Sequence, residues 1–230
     1  MSISRLILSI ACSWSLVFAP SYAHEVWVDR VLLVHFGDVG ERLDPIVPAN
    51  LSRLVTLGAD GAAVAAKLLP IGEVGAVVLP AGAEPALVAV AWDAGYRVKQ
   101  GEKWVKAPAA EATAATGFRH TVFHSKTIFA WHPRFAQPVG HPLELVPLSD
   151  PLSSKVGGTL ALRVVADGKP VAGAVIALDE PEVSLTSDAD GLITVPLAKA
   201  GLHLLRARIA GTEGAGELNQ LAVLAFHLKP

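Results

Sequence analysis

Past residue 23 the apolar residues of this chain come in short runs, each cut off by Gly, Pro, Asp or Asn: Arg30 to Phe36, Leu51 to Leu57, Val74 to Leu79, Ala86 to Trp92 and Thr121 to Trp131. Runs of that length, rich in Val and Leu and closed by turn formers, read as strands, since a core helix needs about ten or more residues of 3.6 periodicity. From Gly157 onward the pattern sharpens: Thr159 to Val165, a turn at Asp167-Gly168, Val171 to Leu178, a turn at Asp190-Gly191, Leu192 to Pro196, Leu202 to Ile209 and Leu221 to Leu228. Strands at roughly ten-residue spacing joined by Asp-Gly turns describe an antiparallel sandwich. Ala62 to Leu69 and Pro108 to Ala115 are Ala-rich and have the propensity for a helical turn or two. The expected class is all-β.

The first 23 residues have a different character. Arg5 precedes an apolar run from Leu6 to about Ala19, and Ser21-Tyr22-Ala23 closes it with small residues, the pattern of a secretory signal peptide cleaved after Ala23. The run is shorter than the ~20 residues a membrane span requires. The expectation is a periplasmic protein with no integral membrane segment, beginning at His24. Cleavage removes Cys12 and leaves 18 Lys and Arg against 21 Asp and Glu. A chain without cysteine has no disulfide, thiolate site or cysteine nucleophile, and near-neutral charge without a basic block excludes nucleic acid as a partner. The mature chain divides at Pro147 to Pro151, where two prolines interrupt any regular element. We expect two β-sandwich domains: an N-terminal one at 24–150 that binds metal, and an Ig-like or transthyretin-like one at 151–230.

No phosphate loop, Gly-x-Ser-x-Gly elbow or His-Glu-x-x-His helix is present, so nothing in the chain reads as an enzyme. The remaining chemistry lies in eight histidines. Once it is the first residue, His24 offers an α-amine and an imidazole that close one chelate ring on a divalent transition metal. The amine pKa of about 7.7–8.0 lets a metal displace its proton near neutrality. A frayed, solvated terminus is the competing reading. His120, His124 and His132 fall in one strand-like segment and face one side of it, but four residues along a strand span about 13 Å, so at most one of them shares an ion with His24. His35 comes close to His24 if their segments pair. His141 reads as a loop residue between Gly140 and Pro142, and His203 and His227 as packed or solvated strand residues. Trp27, with Glu25 and Asp29 on its side of the first strand, reads as a core anchor.

Several segments together carry a family resemblance: His24-Glu25-Val26-Trp27, Asp93 to Lys99 followed by Trp104-Val105-Lys106, Phe123 to Ile128, Pro142 to Pro151, and in the C-terminal part Asp167 to Gly173, Thr186 to Gly191, Ala200-Gly201 and Leu204 to Ala207. In this order and spacing the chain resembles a secreted domain-of-unknown-function family described as the periplasmic component of cobalt and nickel uptake systems. The resemblance covers most of the mature chain. It implies a protein that binds Ni²⁺ or Co²⁺ and assists a membrane metal transporter, with His24 and His124 as ligands and His35 and His120 as further candidates. His120 and His203 depart from the family pattern, and so leave the choice of metal open. Cu²⁺ stands above Ni²⁺ in nitrogen affinity, so Cu²⁺ binding in vitro follows from the same ligands, and a copper histidine brace is one rival reading. A metal-independent interaction module working through sandwich loops is the other.

Overall fold

A computed structural model describes residues 24–38, 43–72, 74–115, 117–178 and 184–230. The export signal expected at 1–23 lies outside the described residues. In the first half run β1 (Glu25–Val28), β2 (Leu33–Gly37), β3 (Leu43–Asp44), β4 (Leu51–Leu57), β5 (Lys67–Ile71), β6 (Val74–Val78), β7 (Leu87–Gln100), β8 (Lys103–Ala107), β9 (Phe118–Ile128) and β10 (Leu143–Pro147). The second half adds β11 (Thr159–Ala166), β12 (Lys169–Pro170), β13 (Val175–Ala177), β14 (Ser184–Thr186), β15 (Leu192–Pro196), β16 (Gly201–Glu213) and β17 (Gly216–Leu228). The α-helix among the described residues is α1 (Ala109–Ala114), where the Ala-rich reading held; the other Ala-rich stretch is extended and ends in β5. The protein is an all-β sandwich.

Its sheets form three layers. The central sheet runs β14-β13-β16-β17-β9-β7-β4, with β8 paired to β7. On one side lies the sheet β1-β2-β6-β5, with β3 on β2; on the other lies β10-β11-β12, with β15 on β11. Alternation along β9 explains how one strand serves both interfaces. Phe123 points toward the first layer, with Val26, Phe36, Val90 and Trp92, and Val28 N–H donates to Thr127 Oγ1 at 3.2 Å. Ile128 points the other way, into the larger core with Leu87, Leu145, Leu162 and Phe226.

The segments 24–150 and 151–230 are joined through hydrogen bonds. β17 runs parallel to β9 in unbroken register from Glu217–Arg119 to Phe226–Ile128, and β10 pairs with β11. The proline-marked segment at 147–151 leads into a single 3₁₀ turn, Pro151–Ser153, capped by Asp150 accepting from Leu152 N–H at 2.8 Å. It is a connection between layers of one sandwich.

Candidate functional site

Register places His24. β1 and β2 form an antiparallel pair in which Glu25 faces Gly37, so His24 and Asp38 meet at the open end of the hairpin; Phe36 in turn pairs with Asp44 on β3. The His24 ring lies edge-on to Phe36 at 5.4 Å. Its Nδ1 stands 3.3 Å from Asp38 Oδ2 and its Nε2 3.5 Å from Asp44 Oδ2, and the His24 side chain is 39 % exposed. These separations are long for hydrogen bonds, and Nδ1 is buried without a hydrogen-bonding protein partner. The two ring nitrogens point apart, so the carboxylates flank the imidazole instead of converging on one of its nitrogens.

His35 is near in the chain and differently employed. It pairs with Trp27 across the hairpin and stacks on it at 5.1 Å, on the face opposite to Phe36 and His24. Its Nε2 bonds Asp29 Oδ2 at 2.9 Å, while Asp29 Oδ1 accepts from Val31 N–H and Leu33 N–H, so the imidazole finishes the turn between β1 and β2. Trp27 is 6 % exposed and anchors the core, as expected.

His120 and His124 do share a face of β9, but His132 lies past the strand end, where its Nδ1 accepts from Arg134 N–H at 3.2 Å and caps a 3₁₀ turn. The face bearing His120 and His124 is opposite to the one that meets Phe36 and His24, so the central sheet stands between His24 and His124 and they do not form one site. His120 stacks on Tyr96 at 4.1 Å, and both of its ring nitrogens are engaged, Nδ1 by Glu213 at 2.6 Å and Nε2 by Asp93 at 2.9 Å. Burial first, then Glu213 accepting from the phenol at 2.9 Å and the nearby Asp93, hold the Tyr96 hydroxyl above its ordinary pKa.

His124 meets a residue that spacing did not single out. His141, 3 % exposed, lies with its ring centroid 5.5 Å from that of His124, which is 4 % exposed. The loop that carries it is clamped by Glu144, whose carboxylate accepts from the N–H groups of Val139, Gly140 and His141 at 2.7–2.9 Å and pairs with Lys126 at 2.6 Å. Arg53 donates to the carbonyls of Val139 and Gly140 from outside. Burial tends to raise the Glu144 carboxyl, but Lys126 and the backbone donors outweigh it and leave it below its usual value. Lys126 is itself lowered by burial, partly offset by Glu144. His203 is packed, stacked on Phe226 at 5.1 Å and bonded to Lys199 O at 2.8 Å. Among the described residues no three His, Cys, Asp or Glu side chains converge as a complete metal cage.

The fold and these sites define an all-β sandwich protein with histidine and carboxylate groups grouped at separate points on its sheets. The chain belongs to the family Domain of unknown function (DUF4198), whose model matches residues 21–211 and therefore spans all three layers up to β16. Comparison with curated proteins returns no match.

Proposed function

We propose that this protein works outside the cytoplasm, where it captures a divalent transition metal, nickel or cobalt, at a mature N-terminal His24 and assists its uptake by a membrane transporter. One observation carries the reading: the spacing of His24 Nδ1 and Asp38 Oδ2 at 3.3 Å, with the nitrogen left over by every protein hydrogen bond. An ion with bonds of about 2.1 Å, set between square and tetrahedral angles, holds neighbouring ligands roughly 3.0–3.4 Å apart. Cleavage after Ala23 adds the α-amine, which closes a chelate ring with Nδ1, so amine, imidazole and carboxylate together supply three donors. Two borderline nitrogens and one oxygen suit Ni²⁺ and Co²⁺, and Cu²⁺ in vitro. Both side chains are partly exposed, and an ion held there is open to transfer. His35 and His120, each bound to carboxylates, serve the fold on this reading, and His124 is not part of the His24 centre.

The test is calorimetric titration of Ni²⁺, Co²⁺ and Cu²⁺ into protein processed by its own leader, with mass spectrometry establishing His24 as the first residue. One equivalent should depend on the terminus, and either a residue added before His24 or Asp38→Asn should weaken that equivalent at least tenfold. Binding indifferent to both changes would remove the capture reading at His24, and no binding at all would favour a metal-independent interaction module.

A further inference from the structure

We propose that His124 and His141 form a separate, buried metal site between the central sheet and the β10 layer, able to hold one Co²⁺- or Zn²⁺-like ion through two neutral imidazoles. This site is independent of His24, which lies across the central sheet. Three ring nitrogens carry the argument: Nδ1 of His124 and both nitrogens of His141 are buried with no protein hydrogen-bond partner. A core normally satisfies such atoms, and leaving them unpaired costs stability.

The tautomer is set. His124 Nε2 donates to Gln220 Oε1 at 3.3 Å, which leaves the lone pair on Nδ1. A ligating histidine characteristically gives its other N–H to such an oriented acceptor. The separation also fits. Two imidazoles bound at about 2.0–2.1 Å to one tetrahedral ion place their centroids about 5 Å apart, and about 6 Å if linear; these lie at 5.5 Å, tilted by 39°. Charge does not oppose an ion, since Glu144 and Asp167 balance Lys126 and Arg53 among the groups that act on the pair. Neutral imidazole is the ligating form, and burial lowers the pKa of both rings. Two protein ligands leave further coordination positions to water or a small anion.

The experiment uses full-length processed protein carrying His24→Ala, stripped with chelator and dialysed against Co²⁺. One equivalent should bind and give the intense visible bands of tetrahedral Co²⁺. Adding His141→Leu should abolish both, while the metal-free melting temperature stays level or rises, because unpaired nitrogens are removed; a purely structural His141 would lower it. Gln220→Leu, on the rigid sheet, should weaken Co²⁺ binding 10–100-fold, and decides the matter if His141→Leu does not fold. An absence of bound Co²⁺ in the His24→Ala protein, or binding untouched by these substitutions, overturns the site. Loss of an equivalent on His24→Ala alone tests the capture reading separately.

Discussion

A histidine kept neutral by burial ties the stability of a protein to pH. Burial first, then the charges of His124, Lys126 and Arg53, push the His141 pKa down to about 4, against a pull the other way from Glu144. In the unfolded chain the imidazole titrates near its ordinary value of about 6.5. Between these values the unfolded chain binds a proton that the folded protein refuses, so stability is complete above about pH 6.5 and drains away as the pH falls toward 4. The loss is on the order of 3 kcal/mol, and His124, lowered by burial in the same sense, adds to it. Urea denaturation of metal-free protein at intervals from pH 7 to 4 should show this decline, and His141→Leu should flatten it; matching profiles in the two proteins would mean that other groups carry the acid sensitivity. None of this was legible from the position of His141 between Gly140 and Pro142. Its burial comes from Glu144, three residues on, folding the loop back, and from Lys126 on a strand that meets β10 only in the finished sandwich. The chelate expected at His24 needs only that residue and a cleaved leader, so it could be put forward without knowledge of the fold. The separation of His24 from His124 was not legible, because strand alternation decides which side of a sheet a residue serves, and which layer covers each side is a long-range fact.

Turns were the most readable elements, and two of them respond differently to the same substitution. At the β11–β12 hairpin Asp167 and Gly168 both adopt positive φ, 49° and 74°, the conformation that Asp-Gly favours in a two-residue hairpin. Gly168 has open space where a Cβ would stand, whereas at Gly191, φ +71°, that Cβ would lie 2.6 Å from Val164 O. Gly168→Ala should therefore cost about 1 kcal/mol from backbone strain alone. At Gly191 the carbonyl of a paired strand must also move, so Gly191→Ala should cost roughly 3 kcal/mol or more. Chemical denaturation of the two variants side by side checks this, and equal losses would show that strain and not contact dominates at Gly191. The long strands were harder to read. β7 continues from Trp92 through Asp93 to Gln100, past the end of its apolar run, because β8 and β9 supply backbone partners for residues that are only half buried. A bulge at Asp93–Gly95, held by Asp93 Oδ1 accepting from Gly95 N–H at 2.7 Å, shifts the register midway. Apolar alternation reports burial, and carries little information on a strand that outlasts its burial.

At the scale of the whole molecule the distinctive fact is that the last strand, β17, lies in the interior of the central sheet. It bonds β16 on one side and β9 on the other, and the parallel pairing with β9 closes a connection across some hundred residues of chain. The larger core draws on both halves, with Leu57, Leu87, Ile128 and Phe135 from the first packed with Leu162, Ile176, Leu224 and Phe226 from the second. Re-exposing a buried side chain of this size costs about 1.5–3 kcal/mol, so separating the halves exposes surface worth roughly 6–12 kcal/mol from the first four alone. That is comparable with the 5–15 kcal/mol by which a whole domain is stable. Unpaired edges on β9 and β17 add to the cost and invite aggregation. Residues 24–150 expressed alone should therefore lack near-ultraviolet circular dichroism and a cooperative melt, and residues 151–230, which carry no Trp or Tyr, should lack a cooperative far-ultraviolet melt, while the joined chain unfolds in one transition. The five tryptophans all precede residue 151, so fluorescence follows the first half and far-ultraviolet dichroism follows both. Coincident urea midpoints from these two probes are the expected result; a fragment 24–150 that melts cooperatively on its own would show that the central sheet tolerates the loss of β17.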